Sequence, residues 1–268
     1  MGRSDEDDRD EATNMKRSTC ALATAIATFV CSTGSFAYST GSALAADSAT
    51  TSASIAPSLT PDRLGARSAL TFQIDYFGGE YGVPAPVRRS VLRFPQGFGL
   101  EIPVLRSCSA ARLLARGPSG CPAQSRLGGG HALLEAHAGT ENIAESATLS
   151  AFLGPPRNLS ATVEVFAHAY TPLEEEQVLS GEVRPAEPPY GEELVMTVPP
   201  IPTLVFEPEA SVVSFSLTIG PNADGSAAPG DAVRLPSRCP AGGFPFAGEF
   251  TYADGSTGTA KVESPCPR

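Results

Sequence analysis

The sequence predicts an all-β, sandwich-like domain, of the immunoglobulin or jelly-roll type, with one short disulfide-bound helix. Several short segments alternate apolar and polar residues with a period of two, which is typical of half-buried strands. The 268 residues include 26 glycines and 25 prolines, enough for many turns between short strands. Four of the six cysteines form two pairs that are close in sequence, as in exported domains stabilised by disulfides.

The N-terminal part of the chain has the pattern of an export leader. Residues 1–14 are strongly acidic, and we interpret them as an acidic tail or a mis-assigned start. Lys16 and Arg17 then precede an apolar run, Ala21–Val30, and small residues follow, so residues 15–45 are predicted to be a signal peptide. The alternative is an uncleaved anchor, but the strongly apolar part falls short of the roughly 20 residues that a spanning helix needs.

The rest of the chain divides into a spacer and a folded domain. Residues 46–60 are rich in Ser, Thr and Ala, so we expect a flexible spacer there. Order is expected to begin near Leu59, and residues 61–268 are predicted to form the β-sandwich, as one unit or as two sub-domains.

Period-two alternation predicts most of the strands. They are residues 70–76, 91–94, 131–137, 147–153, 159–167 and 213–219, followed by a hairpin of residues 246–252 and 257–262 around Asp254-Gly255. The prolines between Pro185 and Pro202 predict edge strands and extended crossings in the middle of the domain.

One helix and two disulfides complete the predicted fold. A helix is expected over Cys108–Arg116, because Ser109 can cap its start and Gly117 with Pro118 ends it. Local pairing predicts the disulfides Cys108–Cys121 and Cys239–Cys266, although four cysteines allow two other pairings.

Composition limits the classes of partner. The net charge is −10 at pH 7, and basic residues do not cluster, which argues against nucleic acid and anionic membrane surfaces. Leader and cysteines predict a secreted or cell-surface protein with no membrane span after signal cleavage. Its expected partner is a cell-envelope polysaccharide or another exported protein.

Polar residues on two predicted strands suggest a metal site. Glu135 and His137 lie on one strand, and Glu164 and His168 lie on another. If the two strands were neighbours, these four side chains could surround a metal such as zinc. The competing interpretation, which we favour, is a solvated polar face. We therefore predict no catalytic residue, no bound metal and no cofactor.

Two further patterns were considered as sites. Glu141, Glu145, Glu192 and Glu193 could pair as the carboxylates of a glycoside hydrolase do. Residues 222–226 resemble the start of a calcium loop but lack its later glycine and glutamate, so a surface turn is favoured. The chain contains no Gly-x-Ser-x-Gly motif of a serine hydrolase.

Five segments carry a resemblance to a group of uncharacterised exported proteins from GC-rich bacteria. They are residues 59–65, 117–122, 218–221, 238–246 and 252–256. The matching pieces are turn and cysteine signatures spread over residues 59–268, so the resemblance implies a shared fold and assigns no activity.

The function expected from these observations is a non-catalytic binding or structural module of the envelope or extracellular space. This expectation rests on the leader, the spacer and the absence of a catalytic motif, together with analogy at the level of the fold. The alternative is an extracellular hydrolase that acts on glycans or esters.

Overall fold

A computed structural model of the chain describes residues 50–101, 106–170, 174–203, 207–220 and 232–267. The predicted acidic tail, the signal peptide and the calcium-like segment 222–226 lie outside these residues. The described strands, in chain order, are β1 (Ser52–Thr60), β2 (Arg67–Phe77), β3 (Val87–Pro95), β4 (Gly99–Glu101), β5 (Arg126–Ala138), β6 (Glu141–Arg157), β7 (Ser160–Ala169), β8 (Glu175–Pro185), β9 (Tyr190–Thr197), β10 (Ser211–Ile219), β11 (Ala232–Arg234), β12 (Phe244–Tyr252) and β13 (Thr257–Ser264). One α-helix, α1 (Ala110–Arg116), and three single-turn 3-10 helices lie among the described residues.

The described strands form one antiparallel sheet, which confirms the all-β, sandwich-like class. The strand order is β13-β12-β3-β9-β8-β7-β6-β5-β10-β2-β11-β4, and β1 pairs with β2. Strands β5 to β9 form a continuous meander of neighbours. Because β1 also packs beside β13, the sheet nearly closes on itself around an apolar interior.

Eight of the strands, the helix and both disulfides were predicted from the sequence. The period-two segments correspond to β2, β3, β5, β6, β7 and β10, and the last hairpin is β12 with β13. Ser109 accepts a hydrogen bond from the backbone of Arg112 at the start of α1, as a capping serine should. The disulfides join Cys108 to Cys121 and Cys239 to Cys266, with Cα–Cα distances of 5.5 and 5.7 Å.

Strand β1 corrects the expected spacer. Order was expected to begin near Leu59, but Ser52–Thr60 pairs along its whole length with β2. Its burial alternates, with Ile55 fully buried and Ala53 and Leu59 half-buried between exposed serines. The prediction was wrong because Ser and Ala obscured a regular alternation of small and apolar residues.

Strands β8 and β9 correct the expected edge position of the proline-rich segment. Strand β9 lies between β3 and β8 in the interior of the sheet. Pro185 ends β8, and the following prolines lie in the turn before β9 and in the connection after it. Proline is confined to sites where no ladder hydrogen bond is donated, and strand ends satisfy that requirement as well as edges do.

The interior of the sheet has an aromatic part and an aliphatic part. Around β2 and β12 the aromatic rings meet edge to face, as Phe72 does with Phe246 and Tyr76 with Phe250. Around β5, β6 and β7 the core consists of leucine, valine and alanine. A third, small cluster lies on the opposite face of the sheet, where Leu113 of α1 covers Phe152 and Phe166.

Two glycines of β5 bring β10 unusually close. A Cβ atom at Gly128 would lie 1.8 Å from the carbonyl oxygen of Thr218, and one at Gly130 would lie 1.9 Å from that of Ser216. Any larger residue would push β10 away from β5. Because β10 carries Phe215 towards the interior, these glycines help to set the width of the space enclosed there.

Within the described residues, no helix has the length and apolar character needed to cross a membrane.

Candidate functional site

The interior contains an apolar cavity at one end of the sheet. Its volume is about 190 Å³. It lies where the β5–β6 hairpin, the end of β7, the start of β8 and the β9–β10 connection come together. The walls are almost entirely apolar; they include Leu134, Leu149, Leu179, Ile201, Val212 and Phe215.

The cavity exists because alanine occupies inward positions that are aromatic elsewhere. Seven alanines line it, and they are Ala132, Ala136, Ala138, Ala147, Ala167, Ala169 and Ala210. In the part of the interior around β2 and β12, phenylalanine and tyrosine fill the same kind of position. An alanine side chain ends at its Cβ, so facing strands lined with alanine leave space between them. A dry apolar cavity of about 150 Å³ can bind benzene, so this space suffices for a small apolar molecule.

The rim of the cavity is acidic. Glu135, Glu145, Glu175 and Glu207 are among the lining residues, and no Lys, Arg or His lines the cavity in the described part of the chain. Glu145 shares the inward face of β6 with Ile143 and Ala147, and Glu175 shares the inward face of β8 with Gln177 and Leu179. The Oε1 atom of Glu145 is buried and has no hydrogen-bond partner among the described residues.

A smaller apolar cavity, of about 80 Å³, contains Glu192 in its wall. Leu70, Phe98 and Leu194 are among its other lining residues. Burial raises the pKa of the Glu192 carboxyl, because the charged form is poorly solvated there. This cavity is less than half the volume of the first, and we do not assign it a ligand.

The four residues considered for a metal are not brought together. Strand β6 separates β5 from β7, so the two strands are not neighbours. In the ladder Glu135 lies opposite Ala144 and Glu164 lies opposite Phe152 of the same strand β6. Eight residues of a strand span about 26 Å, which is far beyond the reach of one ion. Among the described residues no cluster of three or more His, Cys, Asp or Glu could hold a metal ion.

Glu164 has a structural environment instead. It is buried on the face of β7 that α1 helps to cover, and it accepts a hydrogen bond from the Ser180 hydroxyl of β8. Burial raises the pKa of its carboxyl, and the Ser180 hydrogen bond and the charge of Arg157 offset part of that rise.

The two histidines considered with it make separate local contacts. The ring of His137 stacks on Tyr81 with centroids 3.9 Å apart, and its Nδ1 lies 2.8 Å from Oδ1 of Asn142. His168 packs against Tyr170 and lies 3.5 Å from a carboxylate oxygen of Glu174. These contacts explain both side chains without a metal.

The carboxylates considered for hydrolysis do not face each other in pairs. Glu141 and Glu145 lie near the start of β6, whereas Glu192 and Glu193 lie on β9, at the opposite end of the ladder. Glu192 and Glu193 are neighbours in one strand and therefore point to opposite faces. A glycoside hydrolase needs two carboxyl groups roughly 5–9.5 Å apart across the scissile bond, and these pairs do not provide that arrangement.

The cavity itself was missed at the level of the sequence. Its signal is the recurrence of alanine at inward positions of three consecutive strands, as in Ala132, Ala147 and Ala169, which the ladder places in one row. The period-two alternation identifies these positions as core. It does not show that side chains as small as alanine leave an empty space between the strands.

Comparison of the chain with protein-family models, with curated proteins and with solved structures gives no match.

Proposed function

We propose that the protein is an exported, non-catalytic binding module that holds a small apolar molecule in its alanine-lined cavity. The observation that carries the proposal is the cavity. Protein interiors are closely packed, and an empty space larger than a water molecule lowers the stability of the fold. A bound ligand would fill this space. A pocket that is mostly apolar with a few polar groups at one side is the usual form of a small-molecule site.

Export is supported by the two disulfides and by the leader pattern of residues 15–45. Disulfides persist in oxidising compartments and are rare in the cytosol. The module belongs to the envelope or the extracellular space in this proposal.

The apolar lining favours a small molecule over a glycan as the occupant of this site. Sugar recognition uses exposed aromatic faces together with many hydrogen-bonding groups. The exposed aromatic residues of the described part are Phe77, Tyr81 and Tyr170, and none of them lines the cavity. A polysaccharide or protein partner elsewhere on the surface stays a prediction.

Calorimetric titration of the purified, disulfide-intact protein with 1-octanol tests the proposal. Each buried methylene contributes about 0.8 kcal/mol, so we expect one site with a Kd of roughly 10–100 µM. Ala147→Leu should fill the cavity and weaken binding at least tenfold, because Ala147 is buried in its wall. Ala144→Leu is the matched control, since Ala144 is exposed on the other face of the same strand.

Absence of saturable octanol binding to the folded wild-type protein would overturn the proposal. Equal loss of binding in both leucine variants would also count against it, because only one of them enters the cavity. If Ala147→Leu fails to fold, Ala136→Leu blocks the same space from a half-buried position nearer the rim.

A further inference from the structure

The acidic rim is the part of the cavity that a purely apolar ligand leaves unexplained. Two of its four glutamates, Glu145 and Glu175, occupy inward positions of strands, where a charged side chain is costly unless it is paired. Deeper in the cavity, Ala147 follows Glu145 on β6, and Gln177 and then Leu179 follow Glu175 on β8, so both carboxylates lie towards the outer side of the apolar wall.

Three other buried or half-buried glutamates have partners, whereas Glu192, in the wall of the smaller cavity, makes no ion pair among the described residues. Glu209 is paired with Arg88, Glu193 lies 3.2 Å from Arg93, and Glu164 accepts a hydrogen bond from Ser180. The four rim glutamates make no ion pair and no side-chain hydrogen bond within the part of the chain that the structure describes. Among the residues that the structure describes, no ion pair therefore compensates the negative charge of the rim.

The two inward carboxylates can approach the same small group. Glu175 lies opposite Ala169 of β7, and Ala169 lies opposite Ala147, which is two residues from Glu145. This ladder places the Cα atoms of Glu145 and Glu175 about 12 Å apart, since strands are spaced about 4.8 Å and two residues rise about 6.6 Å. Both side chains extend from the inward face of the sheet, so a group bound between them at the rim faces both carboxylates.

We infer that the ligand is a cationic amphiphile, with a short hydrocarbon part in the alanine-lined cavity and an ammonium group at the rim. The ammonium group donates hydrogen bonds to the carboxylates of Glu145 and Glu175, and it supplies the partner that the buried Oε1 of Glu145 lacks. This inference rests on the proposed function and adds the charge and the chemical class of the ligand.

Three probes of equal length test the inference. They are octylammonium, 1-octanol and octanoate, which share an eight-carbon chain and carry a cationic, a neutral and an anionic head group, titrated into the disulfide-intact protein at pH 7 and low salt. We expect octylammonium to bind about tenfold more tightly than 1-octanol, because its ammonium group can pair with the half-exposed carboxylates of Glu145 and Glu175. We expect octanoate to bind more weakly than either probe, because its carboxylate is repelled by the same two residues. The preference for ammonium should decrease when the salt concentration is raised to 0.5 M.

Glutamine variants assign the preference to the rim. Glu145→Gln with Glu175→Gln should remove the tenfold advantage of octylammonium and leave the affinity for 1-octanol within about twofold. Glu141→Gln with Glu176→Gln is the control, because it removes the same charge from the same two strands at exposed residues that do not line the cavity.

The outcomes separate the inference from the proposed function. If 1-octanol and octylammonium bind equally well and Ala147→Leu weakens both, the cavity is a binding site and the inference about charge is wrong. If none of the three probes binds the folded protein, the proposed function itself fails. An ammonium preference that the control pair of variants also removes would overturn the assignment to Glu145 and Glu175.

Discussion

Two adjacent leucines of α1 have opposite surroundings. Leu113 is completely buried against the outer face of the sheet, whereas Leu114 is 53% exposed. Leu113 lies in a cluster with Phe152, Phe166 and the Cys108–Cys121 disulfide. A helix of seven residues is too short for its periodicity to show from the sequence which of the two leucines faces the protein.

Leu113→Ala should therefore be far more destabilising than Leu114→Ala. Loss of a buried leucine costs about 2–5 kcal/mol, whereas loss of an exposed one changes stability by less than about 0.5 kcal/mol. The free energies of unfolding of both variants, measured in urea, give the comparison. Equal values would mean that α1 does not pack on β6 and β7 through Leu113.

The buried carboxyl of Glu164 gives a prediction about pH. Because its pKa is raised in the folded protein, the folded state binds this proton more tightly than the unfolded chain does. The contribution of Glu164 to stability is therefore most favourable below its unfolded pKa and is lost as the pH rises through the folded pKa. Glu164→Gln should be less sensitive than the wild type to a rise from pH 4 to pH 7.5.

Urea unfolding at both pH values measures that difference. Glu182→Gln is an informative control on the neighbouring strand β8, because a hydrogen bond from Arg184 lowers the pKa of Glu182 and gives the opposite sign. Identical pH dependence of the wild type and Glu164→Gln would contradict the burial of an ionisable carboxyl at this position.

At the scale of elements, β1 contributes more than its composition indicates. Ile55 is its one fully buried residue, and it packs with Phe250 and Tyr252 in the aromatic part of the interior. Strand β1 pairs with β2 and also contacts β13. It therefore covers the gap between the two ends of the sheet.

Ile55→Ala should lower the free energy of unfolding by about 2–4 kcal/mol, because it removes buried methylene groups next to the aromatic cluster. Ser54→Ala, at the neighbouring exposed position, should change stability by less than about 0.5 kcal/mol. Thermal or urea unfolding distinguishes the two variants. A negligible effect of Ile55→Ala would show that residues 52–60 behave as the spacer that the sequence predicted.

Local patterns predicted the elements that have strong alternation or clear turn residues. The β12–β13 hairpin followed from Asp254-Gly255, and α1 followed from Ser109 and Gly117. Strands β8 and β9 were misplaced because proline restricts local hydrogen bonding but does not determine the order of strands. The cavity depends on the order and the register in which β5, β6, β7 and β8 pair. No local sequence pattern specifies which residues of different strands lie opposite each other.

At the scale of the whole molecule, two disulfides stabilise parts of the chain that are distant from each other. One fixes α1 to the loop that follows it, and the other closes the base of the last hairpin. By the chain-entropy model they contribute about 3 and 3.5 kcal/mol, since the separations are 13 and 27 residues.

If the leader of residues 15–45 is removed on export, as we propose, the mature protein should contain no titratable thiol before reduction. Unfolding together with reduction should expose the thiols of Cys108, Cys121, Cys239 and Cys266. A colorimetric thiol assay before and after reduction, with the mass of the mature chain, measures this directly. A free thiol in the native, processed protein would contradict the pairing.

The contact between β1 and β13 also has a consequence for the order of folding events. Strand β1 begins at Ser52 and β13 ends at Ser264, so the contact joins nearly the two ends of the folded unit. A chain that is threaded through a membrane from its N-terminus delivers β13 last. If the protein is exported as we propose, the sheet therefore cannot close during transit, and the slow search for distant partners takes place after the whole chain has emerged.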